Sequence, residues 1–337
     1  MNSHHIPVTA GRSRARSWLS AVLAVFIAVI LLVWLSQVVG LSGGQIMRVL
    51  QENSIALGLV AFVSLFLQAW FSALKWKLFH IQPDDEQREP IKSTRLAFYS
   101  SAATLFAQLL PSPLAVPLVR GLATRFDIGG SFARGAAITV YDQLFDVGVL
   151  LLVAVLCAFI FAITGSVFTS VTVAALALAS ALLLARAIFA AVPLIALARQ
   201  FVPRWLPASE RIRASLDNAR EEGFDSPETC AALLRYSILR YLAIAARSCV
   251  AFLIALPTYP IAAAGWGFAV VQSSSLLPLT PGNLGITEWG WAGVEALLGS
   301  PAGAVVSAML ALRIVSIPVS VVVVFVFWSF SALSRKV

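Results

Sequence analysis

The chain has 337 residues, 59% hydrophobic and only 12% charged, with a mean hydropathy of +0.88 and a formal net charge of +8. That composition excludes a soluble enzyme or binding domain and describes a polytopic, all-α membrane protein. The positive excess falls in short loops with no soluble platform around it. It therefore reads as topology setting and attraction to anionic lipid, with no nucleic-acid partner.

In chain order, residues 1–18 form a basic tail (Arg12, Arg14, Arg16), followed by a retained first helix at about 19–39. A second helix at about 55–74 leads into a charged loop at 75–95 that carries Lys75, Lys77, Arg88, Lys92 and Arg95. Residues 96–122 should be an apolar segment broken by Pro111, Pro113 and Pro117. Long helices are expected at about 136–163 and 168–197. The polar insertion 199–231 should hold a surface amphipathic helix that ends at Gly223. A helix at about 232–256, a turn at 257–260, a second broken segment at 261–298 and a last helix at about 303–330 complete the series. The tail is 331–337.

Both broken segments put prolines and glycines where hydropathy asks for a span. The first reads LLPSPLAVPLVR (109–120); the second contains LLPLTPGNLGITEW, with Pro281, Gly282 and Gly285 at its centre. Irregular backbone at membrane depth survives only against protein or a wet cavity, and paired breaks in two halves of a chain point to a transporter's binding site. If both segments are re-entrant hairpins there are about six full spans; if they cross, there are eight. The hairpin scheme puts every Lys/Arg-rich segment, and both termini, on the cytoplasmic side. It also yields the order helix, helix, hairpin, helix twice, over 19–163 and 168–330, as an inverted-topology repeat.

Charges inside apolar spans cost about 2.5–3.5 kcal/mol each at a helix centre, so they should face the bundle interior or water. These are Arg120, Asp142, Asp146, Arg247, Glu288, Glu295 and Arg313. Two roles compete for them: ion pairs that tie the repeats together, or contacts to a lipid headgroup whose phosphate suits the planar fork of arginine. The equivalent placement of Arg120 and Glu288 after the two breaks predicts one shared cavity, with Arg120 on phosphate. Gln272, Ser273, Ser274 and Ser275 make a polar step before the second break, and Trp266, Trp289 and Trp291 read as interface anchors. Cys157, Cys230 and Cys249 lack metal-ligand spacing and the histidines cluster nowhere, so no metal or cofactor is expected.

At these residues the chain resembles the membrane domain of lysylphosphatidylglycerol synthases and its stand-alone, flippase-like relatives. The resemblance rests on Leu110–Pro111, Arg120 and Asp142–Asp146 in the first half. In the second half it rests on Pro281–Glu288 and Arg313. Asp142-Gln143 stands where the family usually has Glu-Arg, and Ala115 or a neighbour where it has glycine. The resemblance implies a lipid flippase or scramblase of the bacterial inner membrane, moving an anionic or lipid-linked headgroup between leaflets. The membrane lipids concerned are phospholipids or isoprenoid-linked carriers. With Val337 seven residues past the last expected helix, the aminoacyl-transferase domain is expected to be absent. The competing possibility is a membrane-embedded enzyme or accessory subunit of lipid-linked glycan synthesis, working with lipid- or glycan-synthesising enzymes. An enzyme would need a polar catalytic loop with paired acids or a nucleophile–base set. No such set is evident, so the expectation is a non-enzymatic protein.

Overall fold

Helix α1 (Ala10–Val39) ends at Gly40, and the Ser42 hydroxyl then caps α2 (Gly43–Leu78) by accepting from the Gln45 N–H while Gln45 reaches back. This reciprocal arrangement satisfies two donors that a helix start otherwise leaves open. The computed structural model describes residues 10–79, 91–110, 112–128, 130–191, 200, 209–221, 223–276 and 280–333. The centre of the loop expected at 75–95, the end of the helix expected at 168–197, and Pro111 lie outside the described residues.

The first broken segment is α3 (Ser93–Leu109) and α4 (Ser112–Ala123), followed by a π-helical turn at Thr124–Ile128. Leu110 between them is extended (φ −124°, ψ 157°), the conformation a residue before proline is driven to. Helix α5 (Phe132–Thr164) starts at a Ser131 cap and stops at Gly165 in the left-handed conformation. Then come α6 (Val167–Ala191), α7 (Ser209–Glu221) and α8 (Pro227–Ala255), the last with a Ser226 cap and proline in its first turn. The second broken segment is α9 (Ile261–Ser273) and α10 (Ile286–Leu298), separated by 3₁₀ turns at Ser274–Leu276 and Pro281–Asn283. Helix α11 (Ala302–Leu333) is the last. No strand occurs among the described residues.

Helices α2, α5, α6, α8 and α11 are long and apolar enough to cross a bilayer; the described apolar part of α1 is Val25–Val39. The chain is thus an all-α polytopic membrane protein. Helices α4, α9 and α10, with 12 or 13 residues each, span about 18–20 Å, short of the ~30 Å apolar layer.

The order helix, helix, broken pair, helix does occur twice, as α1–α5 and α6–α11, with α7 inserted. The two runs interlock. Helix α3 packs on α2 and α4 of its own run and equally on α11 of the other, and α9 correspondingly packs on α5 as well as on its own neighbours; α2 and α8, the second helices of the two runs, pack on each other. The outer helices break the correspondence, since α6 packs on α5, α8 and α9, whereas α1 lies against α10 and the Pro281–Asn283 turn. Helix α7 docks on α5, with Leu216 and Phe224 buried; Phe224 meets Phe79, which in turn meets Tyr141.

Candidate functional site

The membrane-depth charges separate into two groups about 10 Å apart along α8, the helix that carries both Arg240 and Arg247, at about 1.5 Å of rise per residue.

The first group lies between α2, α4, α5 and α8. Asp142 accepts from Arg120 at 2.6 Å and pairs with Lys75 at 2.5 Å. One turn on, Asp146 pairs with Lys75 at 2.8 Å and with Arg240 at 2.6 Å. Arg120 also donates to the Ser72 hydroxyl and carbonyl and sits 5.1 Å from the Trp76 ring centroid. Lys75, Arg120 and Asp142 are 0%, 1% and 2% exposed. Three cations and two carboxylates thus close on one another, with Lys75, Arg120 and Asp142 sealed in a dry interior and Asp146 and Arg240 partly open at its edge. Helices α4 and α5 meet there without slack: a Cβ on Gly135 would fall 2.4 Å from the Thr124 hydroxyl, and one on Gly121 2.6 Å from the Phe132 ring.

Lys75 is the residue that the sequence placed wrongly. It counts as the first charge of a solvated loop, but α2 continues to Leu78 and buries it. The signal was present as a polar stripe, Ser64, Gln68, Ser72 and Lys75, at helical spacing along an apolar helix.

The second group surrounds a cavity of about 320 Å³ among α2, α3, α8, α9, α10 and α11, next to the second break. Arg247 and Arg313 both line it and lie close enough for their charges to repel. Glu288 supplies the negative charge: one carboxylate oxygen is 3.2 Å from Arg313 Nε and the other accepts the Gly285 N–H at 2.7 Å. Glu288 is 1% exposed, whereas the Arg313 side chain keeps 25% of its surface open. The Nε of Arg247 is buried with no hydrogen-bond partner. Gln68, Thr104, Gln108, Gln272, Asn283 and Thr287 add polar atoms to the wall.

The break is what opens this space. Gly282, Asn283 and Gly285 take φ values of +55°, +57° and +86°, which prevent α9 and α10 from joining. The tip is pressed against two helices of the first run: a Cβ on Gly282 would lie 3.0 Å from the Gln108 carbonyl, and one on Gly285 would lie 2.8 Å from Leu31 Cβ.

Several expectations are corrected by this geometry. Arg120 and Glu288 do not share a cavity, because Arg120 is in the last turn of α4 and Glu288 in the first turn of α10. The second break is longer than the first, so counting from the shared Leu-Leu-Pro misplaces the later residue. Each carboxylate–arginine pair instead ties the second helix of a broken pair to the long helix that follows it, with the charges reversed: Arg120 to Asp142 and Glu288 to Arg313. Asp146 and Arg240 join the group around Asp142 at its partly open edge, and of the expected charges only Arg247, Glu288 and Arg313 reach the cavity. Pro281, Gly282 and Gly285 lie in the second break as expected, whereas Pro113 and Pro117 lie inside α4 and interrupt nothing. Trp266 and Trp291 are buried, and Trp289 donates to the Leu31 carbonyl and packs on Trp34; they pack helices and do not anchor an interface. Ser273 and Ser274 bond back to their own helix, and the Ser275 side chain lies outside the described residues. Glu295 accepts from Tyr259 and takes no part in the cavity.

Two interlocked runs of apolar helices, each with a broken pair, and a charged cavity beside one break define a polytopic, all-α membrane protein. A match to the model of the lysylphosphatidylglycerol synthase transmembrane region over residues 21–324 goes further: the chain belongs to that family. Neither curated proteins nor solved structures give a match.

Proposed function

We propose that this protein moves a lipid with an anionic phosphate headgroup between the leaflets of a bacterial inner membrane. The observation that carries this reading is the pair Arg247 and Arg313 in one cavity with a single carboxylate among the described residues, which leaves a formal charge of +1 to be met by an occupant. Arginine's flat fork suits a phosphate oxygen pair. A volume of about 320 Å³ admits a headgroup while the tails stay in the bilayer. Membership of a lipid-handling membrane family supports the same substrate class. The phosphate contacts fall to Arg247 and Arg313, and Arg120 is a lock.

In this reading the two runs are inverted repeats. Their broken pairs enter from opposite faces, and the termini and α7 are cytoplasmic. The interlocking of α3 with α11 and of α9 with α5 supports the repeat, and the Lys/Arg distribution supports the orientation. The reading assigns transport and no covalent step.

The test is a leaflet-resolved assay in reconstituted vesicles over a panel of fluorescent phospholipids and isoprenoid phosphates. Anionic headgroups are expected to cross faster than in protein-free vesicles, and Arg247→Ala or Arg313→Ala to slow them by about tenfold or more, the loss of one charged hydrogen bond. No headgroup crossing faster than the protein-free rate would overturn the proposal.

A further inference from the structure

The Glu288–Arg313 pair is unlike the pairs around Asp142. At 3.2 Å it is longer than the 2.5 and 2.6 Å contacts that hold Asp142, and its arginine side chain is a quarter exposed where theirs are sealed. Glu288 is moreover held independently of Arg313, because its second oxygen accepts the Gly285 N–H and closes the first turn of α10. The carboxylate therefore stays in place whether or not Arg313 remains on it. Beside it, Arg247 has a buried Nε without a partner and feels the charge of Arg313. Two guanidinium groups that repel each other, one half-satisfied by an anchored carboxylate, form a site in which an anion is already represented.

We propose that Glu288 is a resident counter-ion: it holds on Arg313 the place that a phosphodiester takes in the loaded cavity, and an arriving phosphodiester displaces it. This rests on the reading that the cavity receives an anionic headgroup, and it adds how the empty site is kept neutral enough to exist in the bilayer and how its affinity is limited. With Glu288 charged, the cavity carries +1 and matches a monoanionic phosphodiester; without that charge it carries +2 and holds the anion too well to release it. Transport requires both loading and release, so a built-in competitor is a functional element and not merely a structural pair.

The experiment uses the full chain in detergent and a water-soluble dihexanoyl phosphatidylglycerol as probe, titrated calorimetrically, with inorganic phosphate as a second arm. Glu288→Gln keeps an acceptor for the Gly285 N–H and so preserves the start of α10. It is expected to bind the lipid about tenfold more tightly than wild type, the loss of one competing ion pair at a partly open site. In vesicles it is expected to move lipid more slowly. Glu288→Asp, which retains the charge, should stay within about threefold of wild-type affinity and separates loss of charge from loss of fold. Arg247→Gln and Arg313→Gln should weaken binding in both backgrounds. Tighter binding of inorganic phosphate by Glu288→Gln, with no lipid binding, would support the counter-ion and overturn the lipid as occupant. Binding that depends on both arginines but is no tighter in Glu288→Gln would overturn the counter-ion and leave the transport reading standing. Binding indifferent to Arg247 and Arg313 would overturn both.

Discussion

Asp142→Asn is the sharpest test of the division between a dry lock and an open site. Asparagine keeps the shape of the side chain and one carbonyl oxygen, so packing is conserved and only the charge is lost. Asp142 meets Arg120 at 2.6 Å and Lys75 at 2.5 Å, and both cations have side chains only 1% exposed. Without it, Arg120 keeps Ser72, Lys75 keeps Asp146, and three cations share one carboxylate, two of them, Lys75 and Arg120, sealed from water. Breaking such a buried pair from one side costs about 3–5 kcal/mol, most of it the penalty of the uncompensated charge. At about 2–4 °C per kcal/mol for a large domain, thermal unfolding in mild detergent should fall by roughly 6–20 °C. Headgroup binding by the folded fraction should remain at the wild-type level, because Asp142 does not line the cavity. A melting curve within about 2 °C of wild type together with lost binding would refute the reasoning, since a dry lock responds in the opposite way.

The tip of the second break offers a backbone test. Gly285→Ala forces a side chain onto φ +86° and brings its Cβ within 2.8 Å of Leu31 Cβ; it should cost about 1–3 kcal/mol and, by displacing the competing Glu288 from Arg313, tighten lipid binding, read by melting and titration together. Topology is checked with a membrane-impermeant thiol reagent in a background lacking Cys157, Cys230 and Cys249. Gly44→Cys and Thr164→Cys should label from outside whole cells and Asn218→Cys only after lysis; the reverse pattern would overturn the assigned orientation.

The class of fold and the position of its second break follow from local properties of the amino-acid sequence. Length and apolarity of a helix fix whether it can cross a bilayer, and those are local properties. Hence α2, α5, α6, α8 and α11 were legible as spans, Gly223 as the stop after the amphipathic helix, and the Pro281–Gly285 stretch as a break whose glycines need positive φ. The deep charges were legible too, because an ionised group within an apolar run is rare and costly wherever its partner lies. The partners were not. Ion pairing depends on which helices cross and at what height, so only the packing of α2, α4, α5 and α8 could bring Lys75 to Asp142 and Asp146. Only the meeting of α8, α10 and α11 could set Arg247 beside Arg313 and Glu288. Arg120 shows why sequence position alone misleads: its local setting matches that of a ligand-binding arginine, and what makes it a lock is desolvation by Trp76, Ser72 and Asp142, contributed by two other helices.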